Sequence, residues 1–266
     1  MTLLLEVRHL SKNFSAASTT IAAVKDVSFA INAGECVGLV GSSGCGKSTL
    51  ARLLMGITAS DSGRITFEQQ VIDCSQTSTR KNYYQKVQLI FQNAVAAFHP
   101  RKSIGTSILL PMLHYGYNNK TAQARLPALL ADVGLTMQHA NKFPHQLSGG
   151  ECQRAAIARA ISVSPQLLIC DEITSALDLP VQDEIINLLL KLQTNTRMGL
   201  LFISHDIVLV QEICQRIMVM QAGTIIESGA TRTVITAPQQ KYTQALINAA
   251  ISINKEIIGA AHDQLI

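Results

Sequence analysis

Residues Gly41 to Ser48 read GSSGCGKS, a glycine-x4-glycine-lysine-serine run, and it lies between an apolar stretch (Cys36-Val37-Gly38-Leu39-Val40) and a helix-like one (Thr49-Leu50-Ala51-Arg52-Leu53-Leu54). Glycines let the chain turn tightly with several backbone N–H groups pointing inward, and the following helix adds its positive end. Strand, loop and helix together therefore form a cradle for phosphate. Gly41, Ser42, Ser43, Gly44, Cys45, Gly46, Lys47, Ser48 and Thr49 are the expected nucleotide-binding residues. Lys47 would reach the β- and γ-phosphates, and the Ser48 hydroxyl would ligate Mg²⁺. Cys45, near a helix N-terminus, is expected to ionise readily and to be the most easily alkylated cysteine if it is exposed.

Four further segments follow downstream. Leu147-Ser148-Gly149-Gly150-Glu151 precedes Gln153-Arg154 and an alanine-rich helix, and Leu167-Leu168-Ile169-Cys170 ends in Asp171-Glu172. Ser175-Ala176-Leu177-Asp178 comes next, then Leu200-Leu201-Phe202-Ile203-Ser204-His205-Asp206. An unbroken apolar run suits a parallel strand buried on both faces, and the carboxyl ends of such strands are where open α/β sheets bind ligands. Asp171 would emerge there beside the phosphates and hold Mg²⁺ through water, with Glu172 aimed at the water that attacks the γ-phosphate. A helix N-cap pair is the alternative reading of the two carboxylates. The run Leu200 to Ile203 would deliver His205 to the same rim, where an imidazole can polarise and orient a γ-phosphate.

In that order and at those separations, the segments resemble the ATP-binding cassette (ABC) family: Walker A, signature, Walker B, D-loop and switch histidine. The resemblance covers nearly the whole chain. It implies an α/β fold, a P-loop ATPase core with an N-terminal antiparallel β subdomain and an inserted α-helical subdomain, using ATP and Mg²⁺. It also implies that Ser148, Gly149, Gly150 and Glu151 present the signature to ATP held by a partner cassette, with Asp178 in the D-loop. Gln92, in Leu89-Ile90-Phe91-Gln92, resembles the Q-loop glutamine that contacts Mg²⁺ and the attacking water; by sequence alone it is a polar residue ending a strand. Phe14 matches the position of an adenine-stacking aromatic, with a plain core phenylalanine as the alternative. Glu151 stands where glutamine is usual. A carboxylate beside a triphosphate is unfavourable, so Glu151 is expected to point away from the nucleotide.

Composition bounds the remaining classes. With 266 residues, 47% hydrophobic and 15% charged, the chain can bury a sizeable core and is not a disordered protein. The net charge of +4 comes without a long basic run and gives no reason to expect nucleic acid. The apolar N-terminal stretch is too short for a signal peptide, and no apolar window is long enough for a span, so the chain is expected to stay cytoplasmic; the resemblance implies a peripheral place on the cytoplasmic face of a membrane through its partners. Six scattered cysteines without paired spacing suit a reduced protein. Short strand-like segments are expected over residues 3–7, 22–24 and 27–31, and from about Asn93 to Pro144 a helical pattern punctuated by Pro100, Gly105, Pro111, Gly116, Pro127 and Gly134. The division expected is a nucleotide-binding domain over 1–232, with a helical subdomain over about 93–160, and a helical tail over 233–266. That tail would leave the core after Ser228-Gly229 and carry an amphipathic helix from Tyr242 to Ile253.

Two segments narrow the resemblance. Phe98-His99-Pro100-Arg101-Lys102-Ser103-Ile104 and Pro238-Gln239-Gln240-Lys241-Tyr242-Thr243-Gln244-Ala245-Leu246 resemble segments of the oligopeptide, dipeptide and nickel importers, the former most like the second ATPase subunit. The resemblance implies a paralogous ATPase or a second copy as partner, two transmembrane permease subunits, and a substrate-binding protein indirectly. The short C-terminus leans towards nickel or a metal chelate over peptides. A soluble ABC ATPase acting on nucleic acid or ribosomes is the alternative, disfavoured by the single Walker A and the short interval between Gln92 and Ser148.

Overall fold

The computed structural model describes residues 2–16, 19–74 and 76–250. Two long strands, β1 (Leu3–Ala16) and β2 (Thr19–Asn32), open the chain, followed by β3 (Cys36–Val40), α1 (Lys47–Leu54), β4 (Ser62–Phe67) and β5 (Gln70–Val71). Then come α2 (Thr77–Lys86), β6 (Val87–Ile90), α3 (Ile104–His114), α4 (Asn119–Asp132), α5 (Met137–Ala140) and α6 (Gly149–Ile161). The chain continues through β7 (Leu167–Asp171), α7 (Leu179–Thr196), β8 (Gly199–Ser204), α8 (Ile207–Ile213), β9 (Arg216–Gln221), β10 (Thr224–Ala230) and α9 (Thr231–Thr236). Residues 241–250 are helical; the rest of the helix expected up to Ile253 lies outside the described residues.

Two sheets result. The smaller is antiparallel, in the order β2-β1-β4-β5; the larger runs β10-β9-β3-β8-β7-β6, with β10 antiparallel to β9 and the others parallel. Every residue of β3, β7 and β8 is buried, as continuous apolar runs require when both faces of a sheet are covered. Side chains alternate between the two faces. Cys36, Val40, Leu168, Cys170, Leu200 and Phe202 pack among the helices α3, α4, α6, α7 and α8. Val37, Leu39, Leu167, Ile169, Leu201 and Ile203 pack instead with α1 and the smaller sheet. Helix α1 buries Leu50, Ala51, Leu53 and Leu54 against that second face. It stops where Gly56, at φ 59°, closes the turn by donating its N–H to Leu53 O.

Several expectations are corrected. The strand segments expected at Ala22–Val24 and Val27–Ile31 are one strand, β2, and β1 runs on to Ala16; register shifts along the pair absorb the polar interruptions, with His9 and Asp26 at positive φ. Gly105, Pro111 and Pro127 do not punctuate the helical region but lie inside α3 and α4. Burial of Ile104, Ile108 and Met112 in α3, and of Leu126, Leu129 and Leu130 in α4, outweighs the helix-breaking tendency of proline. Gly116 and Gly134, at φ 93° and 70°, do end helices. The segment after Ser228-Gly229 does not leave the core: Val234, Thr243 and Ile247 are buried, and Glu227 accepts the N–H groups of Gln239 and Gln240 at 2.8 and 3.1 Å.

Candidate active site

Register brings the functional strand ends to one rim. Val40 of β3 lies opposite Ser204 of β8, and Asp171 of β7 opposite Ile203. The glycine loop, Asp171-Glu172 and His205 therefore leave the sheet side by side. A recess of about 610 Å³ opens there, lined by Ser43 to Thr49, by Gln92 and Glu172, by Thr20 to Ala23 and Lys25 of β2, and by Ala222-Gly223. The β2 wall and the β9–β10 turn were invisible in the sequence. Their contribution is mainly backbone and small side chains: Gly223 donates its N–H to Cys45 O at 2.9 Å and accepts from Lys25 N–H at 2.8 Å, bracing the loop from behind.

Within the loop, Lys47 is only 3% exposed, and its Nζ donates to Gly41 O at 2.8 Å and Ser42 O at 3.1 Å while lying 3.4 Å from Glu172 Oε1. The Ser48 hydroxyl donates to Asp171 Oδ1 at 3.1 Å. Asp171 is 7% exposed, and burial is the main cause that raises its carboxyl above the usual range, with Ser48, Lys47 and Arg52 opposing. These two oxygens, facing the cradle, are a donor pair suited to a small hard cation.

Glu172 collects the remaining groups. Gln92 Nε2 donates to its Oε2 at 3.3 Å and to Ser175 Oγ at 3.2 Å, and His205 Nδ1 stands 3.8 Å from the same Oε2. The Asp171-Glu172 pair caps no helix; Asp178 occupies the N-cap of α7. Phe14 is 43% exposed and so is not a core phenylalanine, yet the recess is lined by its cross-strand partner Ile21 and not by Phe14 itself.

Cys45 reverses the reactivity expectation. Only 6% exposed, it belongs to the core cluster under the loop, and burial, the largest influence, pushes its thiol up despite Lys47 and neighbouring N–H groups. Cys74 is the one cysteine of the six that is not buried. Maleimide mapping of the native chain is expected to label Cys74 ahead of Cys45, with MgATP changing neither by much. Fast labelling of Cys45 that ATP blocks would restore the thiolate reading.

The signature stands apart. Ser148, Gly149, Gly150, Glu151 and Asp178 do not line the recess. Ser148 caps α6 in a capping box: Glu151 N–H donates to Ser148 Oγ at 3.2 Å, and Ser148 N–H donates to Glu151 Oε2 at 2.8 Å. The Glu151 carboxylate is thereby turned back onto its own helix start. The Ser-x-x-Glu spacing carried that signal in the sequence.

The ABC transporter family model matches residues 24–175. The chain belongs to the ABC transporter family. This ABC ATPase is 39% identical over 258 residues to the oligopeptide transport ATP-binding protein OppF of Haemophilus influenzae, which covers 93% of this chain and 78% of that protein. It is 43% identical over 228 residues to the glutathione import ATP-binding protein GsiA of Escherichia coli K12, and there spans 85% of this chain but only 37% of the relative. Among solved structures, cbiO1 of Clostridium perfringens, part of the ABC transporter complex cbiONQ, superposes with a TM-score of 0.79 at 26% identity over 97% of this chain and 100% of that one. The cassette MJ0796, solved as a dimer in a post-hydrolysis state bound to ADP and Pi, gives 0.77 at 26% identity over 86% and 99%. As an ABC ATPase the chain binds and hydrolyses ATP.

Proposed function

We propose that this ABC ATPase powers an importer from the cytoplasmic face of a membrane, paired with a paralogous cassette or a second copy and seated on two separate permease subunits. A substrate-binding protein would deliver the solute to those permeases. The observation that carries the reading is a separation: Lys47, Ser48, Gln92 and Glu172 line one recess, with Asp171 bonded to Ser48 and His205 beside Glu172, whereas the signature helix start does not line it. A capped helix N-terminus is an anion site, so Ser148, Gly149 and Gly150 fit the γ-phosphate of ATP held by another cassette.

Phosphates would enter the cradle from Ser43 to Thr49, and Lys47 Nζ would exchange its loop carbonyls and Glu172 for β- and γ-phosphate oxygens. Ser48 and Asp171, with Gln92 beside them, would hold Mg²⁺, which characteristically shares one or two protein oxygens with substrate phosphates and neutralises their charge. Glu172 positions a water and draws on its proton as the water oxygen bonds the γ-phosphorus. The bond to the β-phosphate oxygen breaks, leaving ADP and inorganic phosphate. His205 offers an N–H to the γ-phosphate. The exposed Phe14, whose cross-strand partner Ile21 lines the recess, would stack on the adenine.

The names of OppF and GsiA favour a peptide-like solute, in keeping with the Pro100-Arg101 and Tyr242 segments; nickel or a metal chelate is the other branch. Uptake of labelled dipeptide, glutathione and nickel in a deletion strain separates them. Loss of peptide or glutathione uptake is expected; loss of nickel uptake alone moves the solute to the metal branch, and loss of none sinks the importer reading. ATP turnover by the isolated chain should rise at least about tenfold when the paralogue and permeases are added. A homodimer that suffices for transport would refute the paralogous partner.

A further inference from the structure

Glu151 does more than cap its own helix. Its Oε1 meets His139 Nε2 of α5 at 3.1 Å, while Oε2 accepts from Ser148 N–H. The other ring nitrogen decides the direction of that bond. Thr136 N–H donates to His139 Nδ1 at 3.0 Å, and the Thr136 hydroxyl lies 2.9 Å from the same nitrogen. A backbone N–H can only donate, so Nδ1 is an acceptor and the ring proton sits on Nε2, pointing at Glu151. A chain of bonds thus runs from Thr136 through His139 and Glu151 to the amide of Ser148, and Glu151 N–H returns to Ser148 Oγ.

We propose that Glu151 and His139 act as a matched positioning pair that fixes the amide and rotamer of Ser148 for its contact with a phosphate. The inference rests on the signature role proposed above. It also accounts for a carboxylate at this position. Two N–H groups converge on residue 151, from His139 and from Ser148, and two acceptor oxygens are needed to meet both. An amide has one. In Glu151→Gln, whichever way the side chain turns, an NH₂ faces an N–H, unless His139 moves its proton to Nδ1 and orphans Thr136 N–H. The Glu151 carboxyl is held below its usual range first by Ser148 N–H, against desolvation, and then by His139 and Lys142, in keeping with an ionised, doubly accepting group.

The pairing can be inverted. His139→Glu puts an acceptor pair at the α5 position, able to take both Thr136 N–H and an amide N–H, so the double variant His139→Glu/Glu151→Gln restores every donor to an acceptor. The residue common in the family should therefore be harmful alone and harmless in the double. Each single variant is expected to lower kcat for ATP about tenfold with the affinity for a fluorescent ATP analogue unchanged, and the double to recover to within about threefold of the native rate. Losses that multiply in the double, or a Glu151→Gln chain as active as the native one, overturn the pair. Nitrogen-15 NMR of the His139 ring in the full native chain gives a second reading that does not depend on catalysis: a bare Nδ1 and protonated Nε2 are expected, and the opposite tautomer overturns the proposal. A Ser148→Ala chain that keeps the native kcat, beside a native chain with that tautomer, would refute the signature role proposed above while leaving the bond chain intact.

Discussion

Glu172→Gln is expected to bind ATP as tightly as the native chain and to hydrolyse it roughly 10²- to 10⁴-fold more slowly, the range that a positioned general base contributes. The carboxylate sits where three groups meet it: Lys47 Nζ at 3.4 Å, Gln92 Nε2 at 3.3 Å and His205 Nδ1 at 3.8 Å. Its backbone is held at φ 50°, a conformation costing a non-glycine residue on the order of 1–3 kcal/mol. That conformation is fixed by Glu172 N–H donating to Ile203 O at 3.0 Å and by the Ser175 hydroxyl donating to Glu172 O at 2.9 Å. Glutamine keeps the shape and most of these contacts, so the fold and the cradle stand. It removes the charge proposed to orient water and take its proton. Lys47→Ala should do the reverse, weakening nucleotide binding before chemistry is reached, because its Nζ is the one buried cation inside the described cradle. Single-turnover hydrolysis beside equilibrium titration with a fluorescent ATP analogue separates the two effects. A Glu172→Gln chain that turns over at the native rate would remove Glu172 from the role of base.

The rim where Asp171, Glu172 and His205 meet was legible because its strands are unbroken apolar runs. Leu167 to Cys170 and Leu200 to Ile203 admit only a doubly covered sheet, and polar residues directly after such runs must surface at its carboxyl edge. Asp171, Glu172 and His205 could therefore be placed from spacing, and the loop from its glycines. What escaped reading depends on partners distant in sequence. No local pattern says that Ala22, Ala23 and Gly223 wall the recess, since they carry no side-chain chemistry. Cys45 looked reactive because a helix N-terminus favours a thiolate, but the loop folds that side chain inward, and desolvation outweighs the helix. Prolines 111 and 127 looked like breaks because propensity was weighed without the core that α3 and α4 bury. Glu151 is the intermediate case. Its capping box lies in four consecutive residues, whereas its second partner, His139, comes from another helix.

Gly46→Ala should reduce nucleotide affinity at least about a hundredfold, since a displacement near 1 Å in a binding constellation can cost that much. Gly46 sits at φ 114°, ψ −1°, as the N-cap of α1, and its carbonyl accepts the first helical bond from Leu50 N–H at 2.9 Å. A methyl group there would lie 2.2 Å from Ala23 O and 2.9 Å from Met220 Cε. The methionine tip can swing aside, but the carbonyl belongs to β2 backbone, held on either side where Ala22 and Val24 pair with Asn13 and Lys12 of β1. The loop must then lift from its bed, carrying away the N–H groups of Lys47 and Ser48 that follow it. Gly44→Ala is the control. Gly44 is also at positive φ, 78°, but nothing lies within 4 Å of its added carbon, so only conformational strain of about 1 kcal/mol is incurred, and affinity should fall no more than about tenfold. Titration of both variants with the ATP analogue, alongside thermal melts to confirm folding, tests the argument. Equal losses would assign the cost to backbone conformation alone, and a folded Gly46→Ala chain with native affinity would show that phosphate is bound elsewhere.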